Sequence, residues 1–467
     1  MRVGRAWKVS AVILLLLAAA GAAAVYSKSS REVTTSSDEA YQAWREAIEN
    51  ERRFYFKEAR VGFARALELD PQFAMAMVGL ARNSEKAQRL ALTARANRER
   101  GRLTDHERLH VDLMQAMNDQ SMKRYNDIAR AIHARYPGDI RAAQILARAE
   151  FDAGHSERAF QIFGEVLARE PNNADAYNQI GYYYGYRGDY DKAIENLKKY
   201  QFMAPDQANP YDSLGEIQAF SGHYDEAIAN LTEALKRKPD FFESYGHLGV
   251  AYEGKGDVQK SVDNYIRASR ESITDGGRVE NLMKAFRVAA MAGNLPLARD
   301  IATQAQALPH DKTYDAHWEV GSLSARGILA LQEGRLADAD RDLLAAKKQW
   351  ESLVAKELKG TDRKPYWPFW NFVYARTKLA RGKIDEANAL FAQMVNPPNP
   401  WSDFESRRWV YEGRAGLAEL LARKGDLDRA DRLLAENHKW NPSWAPSRSA
   451  ELAVAEMHRE KVQAASR

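Results

Sequence analysis

His106, Glu107 and His110 stand in the order H-E-x-x-H. On a helix that spacing puts two imidazoles on one face, where they can share a zinc ion with the glutamate as general base, the constellation of a metal-dependent hydrolase. A catalytic zinc takes a third protein ligand. Where one would be expected the chain reads Ala129, Arg130 and Ala131, and no glutamate occurs between Glu107 and Glu150. The same letters have a structural use, because Thr104 followed three residues later by Glu107 is a capping box for a helix start. On that reading the histidines are incidental. His155, His223 and His247 show no ligand spacing, and neither a G-x-S-x-G elbow nor a phosphate-binding loop is present. Cysteine is absent, which excludes a disulfide framework, a thiolate zinc site, a cysteine nucleophile and a lipidated N-terminal cysteine. The expectation is a chain with no catalytic residues, no cofactor and no metal, and a zinc hydrolase at His106, Glu107 and His110 is the alternative.

Binding is then the chemistry to look for, and charge narrows its kind. The 68 Lys and Arg face 64 Asp and Glu, for a net charge of +4, with the signs interspersed. A nucleic-acid surface concentrates its basic residues in a stripe that neutralises phosphates, so no nucleic-acid partner is expected. Hydrophobic residues make up 45% and charged residues 28%, the composition of a folded chain, and 10% aromatics are ample for a core or a contact surface.

The elements that would position a binding surface are announced by a period. Pro137, Pro171, Pro205 and Pro239 are each 34 residues apart, and Gly154, Gly188, Gly222 and Gly256 keep the same interval. In step with them run Leu146, Ile180, Leu214 and Leu248, then Ala147, Gly181, Gly215 and Gly249, then Ala159, Ala193, Ala227 and Ser261. Five columns sharing one period indicate stacked supersecondary units. Each glycine suits a left-handed residue between two helices, and each proline ends a pair because it cannot continue the hydrogen-bond ladder. Asp189 and Asp257, just after the glycines, are positioned to cap the second helix. The small residues belong where paired helices cross, and bulky apolar residues at helical spacing fill the rest.

In this pattern the chain resembles the tetratricopeptide repeat. Taking Ala174 as a first position, Tyr177, Ile180, Gly181, Tyr184, Ala193, Leu197, Tyr200 and Pro205 occupy the signature places, with Tyr200 replacing a small residue; Ile273 stands where the fourth repeat would have proline. Upstream, Ala59, Phe63, Ala66 and Pro71 read as the second helix of an earlier repeat, followed by a basic helical insertion at 81–103. That insertion and the LTDHERLHVDLMQA run after it resemble repeat arrays attached to bacterial protein kinases and winged-helix regulators, although no kinase motif is present. Downstream, Gly293 with Ala298, Gly334 with Ala339, Gly382 with Ala387 and Gly425 with Ala430 keep the turn-and-small-residue pair at wider intervals of 41, 48 and 43 residues between glycines. The expected fold is an all-α superhelix of about ten hairpins behind an N-terminal hydrophobic helix. Its parts are 1–30, a signal peptide or anchor; 36–136, hairpins with the insertion; 137–275, four regular repeats; and 276–460, degenerate hairpins.

The resemblance implies that the first helix of each pair lines a concave face. Carried onto this chain, the inward positions include Arg141, Gln144 and Arg148, then Asp175, Asn178, Tyr182 and Tyr186, then Asp212, Glu216 and Phe220, and lastly Glu243, Gly246 and Glu253. The row begins basic, passes an aromatic patch and ends acidic, which suits an extended or helical peptide of complementary charge. The tyrosines could equally just cover neighbouring helices. A peptide-carboxylate clamp of Lys and Asn, known in one branch of the family, is missing. The C-terminal tryptophans, Trp318, Trp350, Trp367, Trp370, Trp401, Trp409, Trp440 and Trp444, either form a docking rim for a partner or plug gaps between irregular hairpins.

Arg2, Arg5 and Lys8 precede an uncharged stretch at 9–26 that ends before Lys28. That is the form of an export signal, with Ala22 and Ala24 fitting a cleavage site, and its length also approaches that of a single membrane anchor. The basic flank belongs on the cytoplasmic side, so the repeats are expected outside an inner membrane, tethered or released to the periplasm or medium. The function expected is a protein-interaction scaffold with protein or peptide partners. A regulatory or sensory module serving a separately encoded kinase or regulator is a further alternative.

Overall fold

A computed structural model describes residues 32–308, 315–357, 367–395 and 404–465. The leader at 9–26 lies outside them, as does Trp401. Among the described residues every regular element is helical, and no helix is long and apolar enough to cross a membrane. The chain divides into two compact units, Met1–Glu51 with Phe56–Ile128, and Arg52–Tyr55 with Ala129–Arg467.

The first unit is built from α1 (Asp38–Arg52), α2 (Phe56–Leu69), α3 (Ala74–Arg82), α4 (Lys86–Arg98), α5 (Asp105–Asn118) and the start of α6 (Met122–Arg135). Trp44, Phe63, Phe73, Met77, Leu92 and Val111 form its core. Thr34, Thr35 and Ser36, which lead into α1, are held by two carboxylates. Glu107 accepts from Thr34 N at 2.6 Å and Thr34 Oγ1 at 2.7 Å, and Asp70 accepts from Thr35 Oγ1 at 2.7 Å and Ser36 N at 3.0 Å.

The second unit carries the 34-residue pattern. Its hairpins are α7 (Ile140–Asp152) with α8 (Ser156–Arg169), α9 (Ala174–Arg187) with α10 (Tyr190–Met203), α11 (Asn209–Phe220) with α12 (Tyr224–Arg237), and α13 (Phe242–Lys255) with α14 (Val258–Glu271). The wider intervals form hairpins too: α15 (Asp275–Met291) with α16 (Leu295–Ala307), α17 (Asp315–Gln332) with α18 (Leu336–Glu357), α19 (Pro368–Ala380) with α20 (Ile384–Val395), and α21 (Phe404–Arg423) with α22 (Leu427–Trp440), closed by α23 (Arg448–Ala465). Their greater spacing is taken up by longer helices and connections, α18 running to 22 residues against 14 for α14.

All eight hairpin glycines adopt the left-handed conformation, with φ between 72° and 87°. Strain-free access to that region is the reason glycine stands there. The crossing positions are equally literal. A Cβ on Gly181 would lie 2.7 Å from Leu197, one on Gly215 2.6 Å from Leu231, and one on Gly249 2.7 Å from Tyr265. Asp257 caps α14 by accepting from Lys260 N at 3.2 Å. Asp189 makes no such cap, and its carboxylate instead lies 3.6 Å from Arg187 Nε. A periodic tyrosine completes three of the four proline turns: Tyr177, Tyr211 and Tyr245 donate to the carbonyls of Pro171, Pro205 and Pro239 at 3.3, 3.2 and 3.0 Å.

The last hairpins return onto the turns of the regular repeats. Trp440 packs over Gly188 and edge-on to Tyr190. Asn441 sits on Gly222, donates to the Phe220 carbonyl at 3.2 Å and accepts from Tyr224 Oη at 2.9 Å. Ala445 approaches Gly256. Trp370, Trp409 and Trp444 are buried, so these three indoles serve packing between hairpins. Gly154, by contrast, has open space around it at nearly the same φ as Gly188. Gly154→Ala should therefore cost only the left-handed penalty, about 1–2 kcal/mol. Gly188→Ala should cost a further ~1–3 kcal/mol for overpacking against Trp440. In a Trp440→Ala background urea denaturation should give the two substitutions equal costs; a persistent excess for Gly188→Ala would show that the return contact is not what glycine accommodates there.

Candidate functional site

The inner row is formed by the first helices of the regular hairpins, which contact one another in the order α7, α9, α11, α13. Asn178, Asp212 and Gly246 occupy the same position on three successive helices of this row, and Tyr182, Glu216 and Val250 occupy the position one turn later. The row therefore places side chains from different repeats side by side.

His247 is the centre of this surface. Its Nδ1 donates to Asp212 Oδ1 at 3.0 Å, and its Nε2 lies 3.5 Å from Glu216 Oε1. Ser244 Oγ donates to the same Asp212 oxygen at 2.7 Å, and Tyr182 Oη donates to Glu216 Oε2 at 2.6 Å. Burial alone would lower the imidazole, but the charges of Asp212, Glu216 and Glu243 outweigh it and raise His247 to about 9. Burial pushes Glu243 up to about 8, with the Asp212 charge adding to it, while Glu216 is raised by burial and Tyr182 by burial and the Glu216 charge. At neutral pH the cluster thus holds a cationic His247 and a largely protonated Glu243.

Two acceptors here are left over. Asn178 is 2% exposed with no hydrogen-bond partner at Oδ1, and Glu243 Oε2 is buried without one. Buried polar atoms are nearly always paired, so such exceptions call for an account. Space is also available: a Cβ on Gly246 would meet only Asn281 Oδ1, at 3.6 Å.

The other inward residues fall into groups. Tyr186 is half-buried against Phe151, Tyr183 and Tyr182, with the Arg148 guanidinium 5.4 Å over its ring. Arg141, Gln144 and Asp175 are half-buried along the row. Phe220 is in the core, and its carbonyl receives Asn441. Glu253 is buried between Arg287, at 2.5 and 2.7 Å, and Arg408, at 2.6 Å. Burial would raise its carboxyl, but the two guanidinium charges hold it at about 2. Neither Phe220 nor Glu253 joins the cluster around His247. His247 and Ser244 were not among the expected inward residues, because each stands one residue past an inward position, Gly246 and Glu243.

His106 and His110 lie on one face of α5 with their Nε2 atoms 3.2 Å apart. Glu107 is 1% exposed and forms the capping box with Thr104, accepting from Thr104 N at 2.8 Å while also holding Thr34. Its carboxylate is therefore committed to structure, which leaves the motif without an available general base.

Stacked helical hairpins with glycine turns, small-residue crossings and a row of first helices define a solenoid repeat protein. Profiles of the tetratricopeptide repeat match residues 162–195 and 214–275, within the stretch where the period is strict. Over these residues the chain carries tetratricopeptide repeats. No curated protein matches its sequence. Among solved structures it is similar to the Cut9-Hcn1 hetero-tetramer of APC/C, with 14% identity, 89% of this chain and 76% of that one covered, and a TM-score of 0.48. It is also similar to yeast Tom70, with 12% identity, 90% and 96% covered, and a TM-score of 0.41. A tetratricopeptide repeat protein from Parabacteroides merdae matches with 15% identity, 60% and 98% covered, and a TM-score of 0.39.

The two raised values set the pH response of the cluster. His247 binds its proton more tightly when folded, so its contribution is complete below its ordinary 6.5 and is lost as pH rises through about 9. Glu243 acts in the same direction, from its ordinary 4.5 to about 8. Stability in urea should fall between pH 7 and pH 9, and Glu243→Gln with His247→Gln should flatten that slope; an unchanged slope in the double variant would place its origin elsewhere.

Proposed function

We propose that the protein is a non-catalytic interaction scaffold whose α7, α9, α11 and α13 row takes an extended or helical peptide, with the cluster around His247 receiving a basic side chain. The observation that carries this is a pair of unsatisfied buried acceptors, Glu243 Oε2 in the cluster and Asn178 Oδ1 on the neighbouring α9, where the carboxylates Asp212, Glu216 and Glu243 gather around the one imidazole of His247. A lysine or arginine supplies the missing donors and the opposite charge at once, which a neutral or acidic residue cannot. Tyr182 and Tyr186, one and two turns further along α9, offer apolar contact beside it. Lys238 and Lys284 also act on these carboxylates from nearby, so a guest cation enters a field that is only moderately negative.

A bound cation favours ionised Glu243, so binding should release a proton near neutrality and strengthen from pH 6 to pH 8. Gly246→Trp fills the open space over the cluster. Against an array of Lys- and Arg-anchored peptides, wild type should select basic members, and Gly246→Trp should weaken them at least tenfold with an unchanged thermal midpoint. Equal binding by the variant would remove the inner row from the function.

We propose further that residues 9–26, behind Arg2, Arg5 and Lys8, export or anchor the chain so that the repeats lie outside the inner membrane. Protease added to spheroplasts should then digest the repeat region, whereas full protection with recovery in the cytosolic fraction would refute the assignment. N-terminal sequencing of the recovered chain distinguishes a cleaved leader from a retained one.

A further inference from the structure

A second concave feature lies within the second unit, where the last helix of the inner row meets the later hairpins. A cavity of about 320 Å³ opens among α13, α15, α19, α21 and the turn Ala445–Ser447 that precedes α23. That volume lies at the lower end of the range for pockets that hold small ligands, roughly 300–1,000 Å³.

One wall is aromatic. Trp409 is its centre, with Phe369 and Phe372 at ring separations of 5.2 and 5.6 Å, and Val288 and Met291 extend the apolar surface. The charges around it are unbalanced. Glu253 is shared by Arg287 and Arg408, two cations on one anion. Glu412 accepts from Trp444 Nε1 at 2.9 Å, and its burial raises its pKa. Arg376 lines the cavity at an exposed position and makes no ion pair or hydrogen bond with the described residues. Three guanidiniums against Glu253 and Glu412 leave a surplus of one positive charge when Glu412 is ionised and of two when it is protonated.

An independent observation points the same way. Arg408 is 1% exposed, and its Nε and Nη1 are buried without an acceptor. It directly precedes Trp409, and its guanidinium lies 4.9 Å from that indole and 5.3 Å from Trp444. Arg408 does not itself line the cavity, but unpaired buried donors are costly, so the structure directly behind Trp409 is short of acceptors. A ligand that complements it brings apolar surface and negative charge together.

We propose that this cavity binds a small apolar carboxylate, with its aromatic or aliphatic part against Phe369, Phe372 and Trp409 and its carboxylate on Arg376. The site shares α13 with the peptide row but no residue of the His247 cluster, so it stands whether or not a peptide binds there. Arg376 at the mouth can form a bidentate pair with a carboxylate, and the surplus charge of the Glu253 triad reinforces it over a longer distance. The same chemistry is offered by a free aromatic or aliphatic acid and by the C-terminal residue of a peptide.

Calorimetric titration of the full chain separates these cases. With 3-phenylpropionate and 3-phenylpropionamide as probes, the acid should bind at least tenfold more tightly than the amide. Arg376→Gln, at an exposed position, should erase that preference, and Ala292→Trp at the rim should weaken both probes at least tenfold, with thermal midpoints unchanged in each variant. N-acetylphenylalanine then assigns the source: tighter binding than 3-phenylpropionate indicates a peptide C-terminus, and weaker binding a free acid. Absent binding of 3-phenylpropionate, equal binding of acid and amide, or a full preference surviving in Arg376→Gln would each overturn the proposal.

Discussion

The regular repeats depend on how closely two helices approach where they cross. Gly181, Gly215 and Gly249 leave room there for a single side-chain thickness, filled by Leu197, Leu231 and Tyr265. One added methylene at such a site would push the partner helix outward, because interiors packed at crystal-like density have no slack to absorb it. Any shift would be passed on, since the first helices of neighbouring hairpins also touch. The alignment of Asp212, Glu216 and His247 across two repeats is thus a product of helix spacing.

The return of the C-terminal hairpins adds a different kind of constraint. Glu253, an inward position by repeat register, meets Arg287 from the next hairpin and Arg408 from α21. A buried ion pair adds little net stability over apolar packing, but loss of one partner leaves a costly uncompensated charge. The triad accordingly works as a register pin between α13, α15 and α21. It also supplies the positive field of the adjoining cavity, so a packing device and a candidate ligand site share the same charges.

His247 and Glu253 show how one row can serve two ends. Around His247 the carboxylates outnumber the cation and two acceptors stay open, whereas around Glu253 the cations outnumber the carboxylate and donors stay open. The second unit therefore presents surfaces of opposite electrostatic demand in its regular and irregular parts. Ligands of opposite charge could occupy them without competing.

The period, the left-handed turns and the crossing positions were legible in the letters alone, because each is local: a glycine with φ near 87° or a proline ending a helix is decided by its own backbone. The capping role of Thr104 and Glu107 was legible for the same reason. What tertiary structure alone decided is which inward residues stay open. Phe220 and Glu253 were claimed by segments about 155 to 221 residues further along the chain, while His247, outside the expected list, became the hub of the acidic cluster. Repeat register specifies the direction of a side chain on its own helix, but its partner across space depends on how the later hairpins curve back, and no spacing in the sequence encodes that distance.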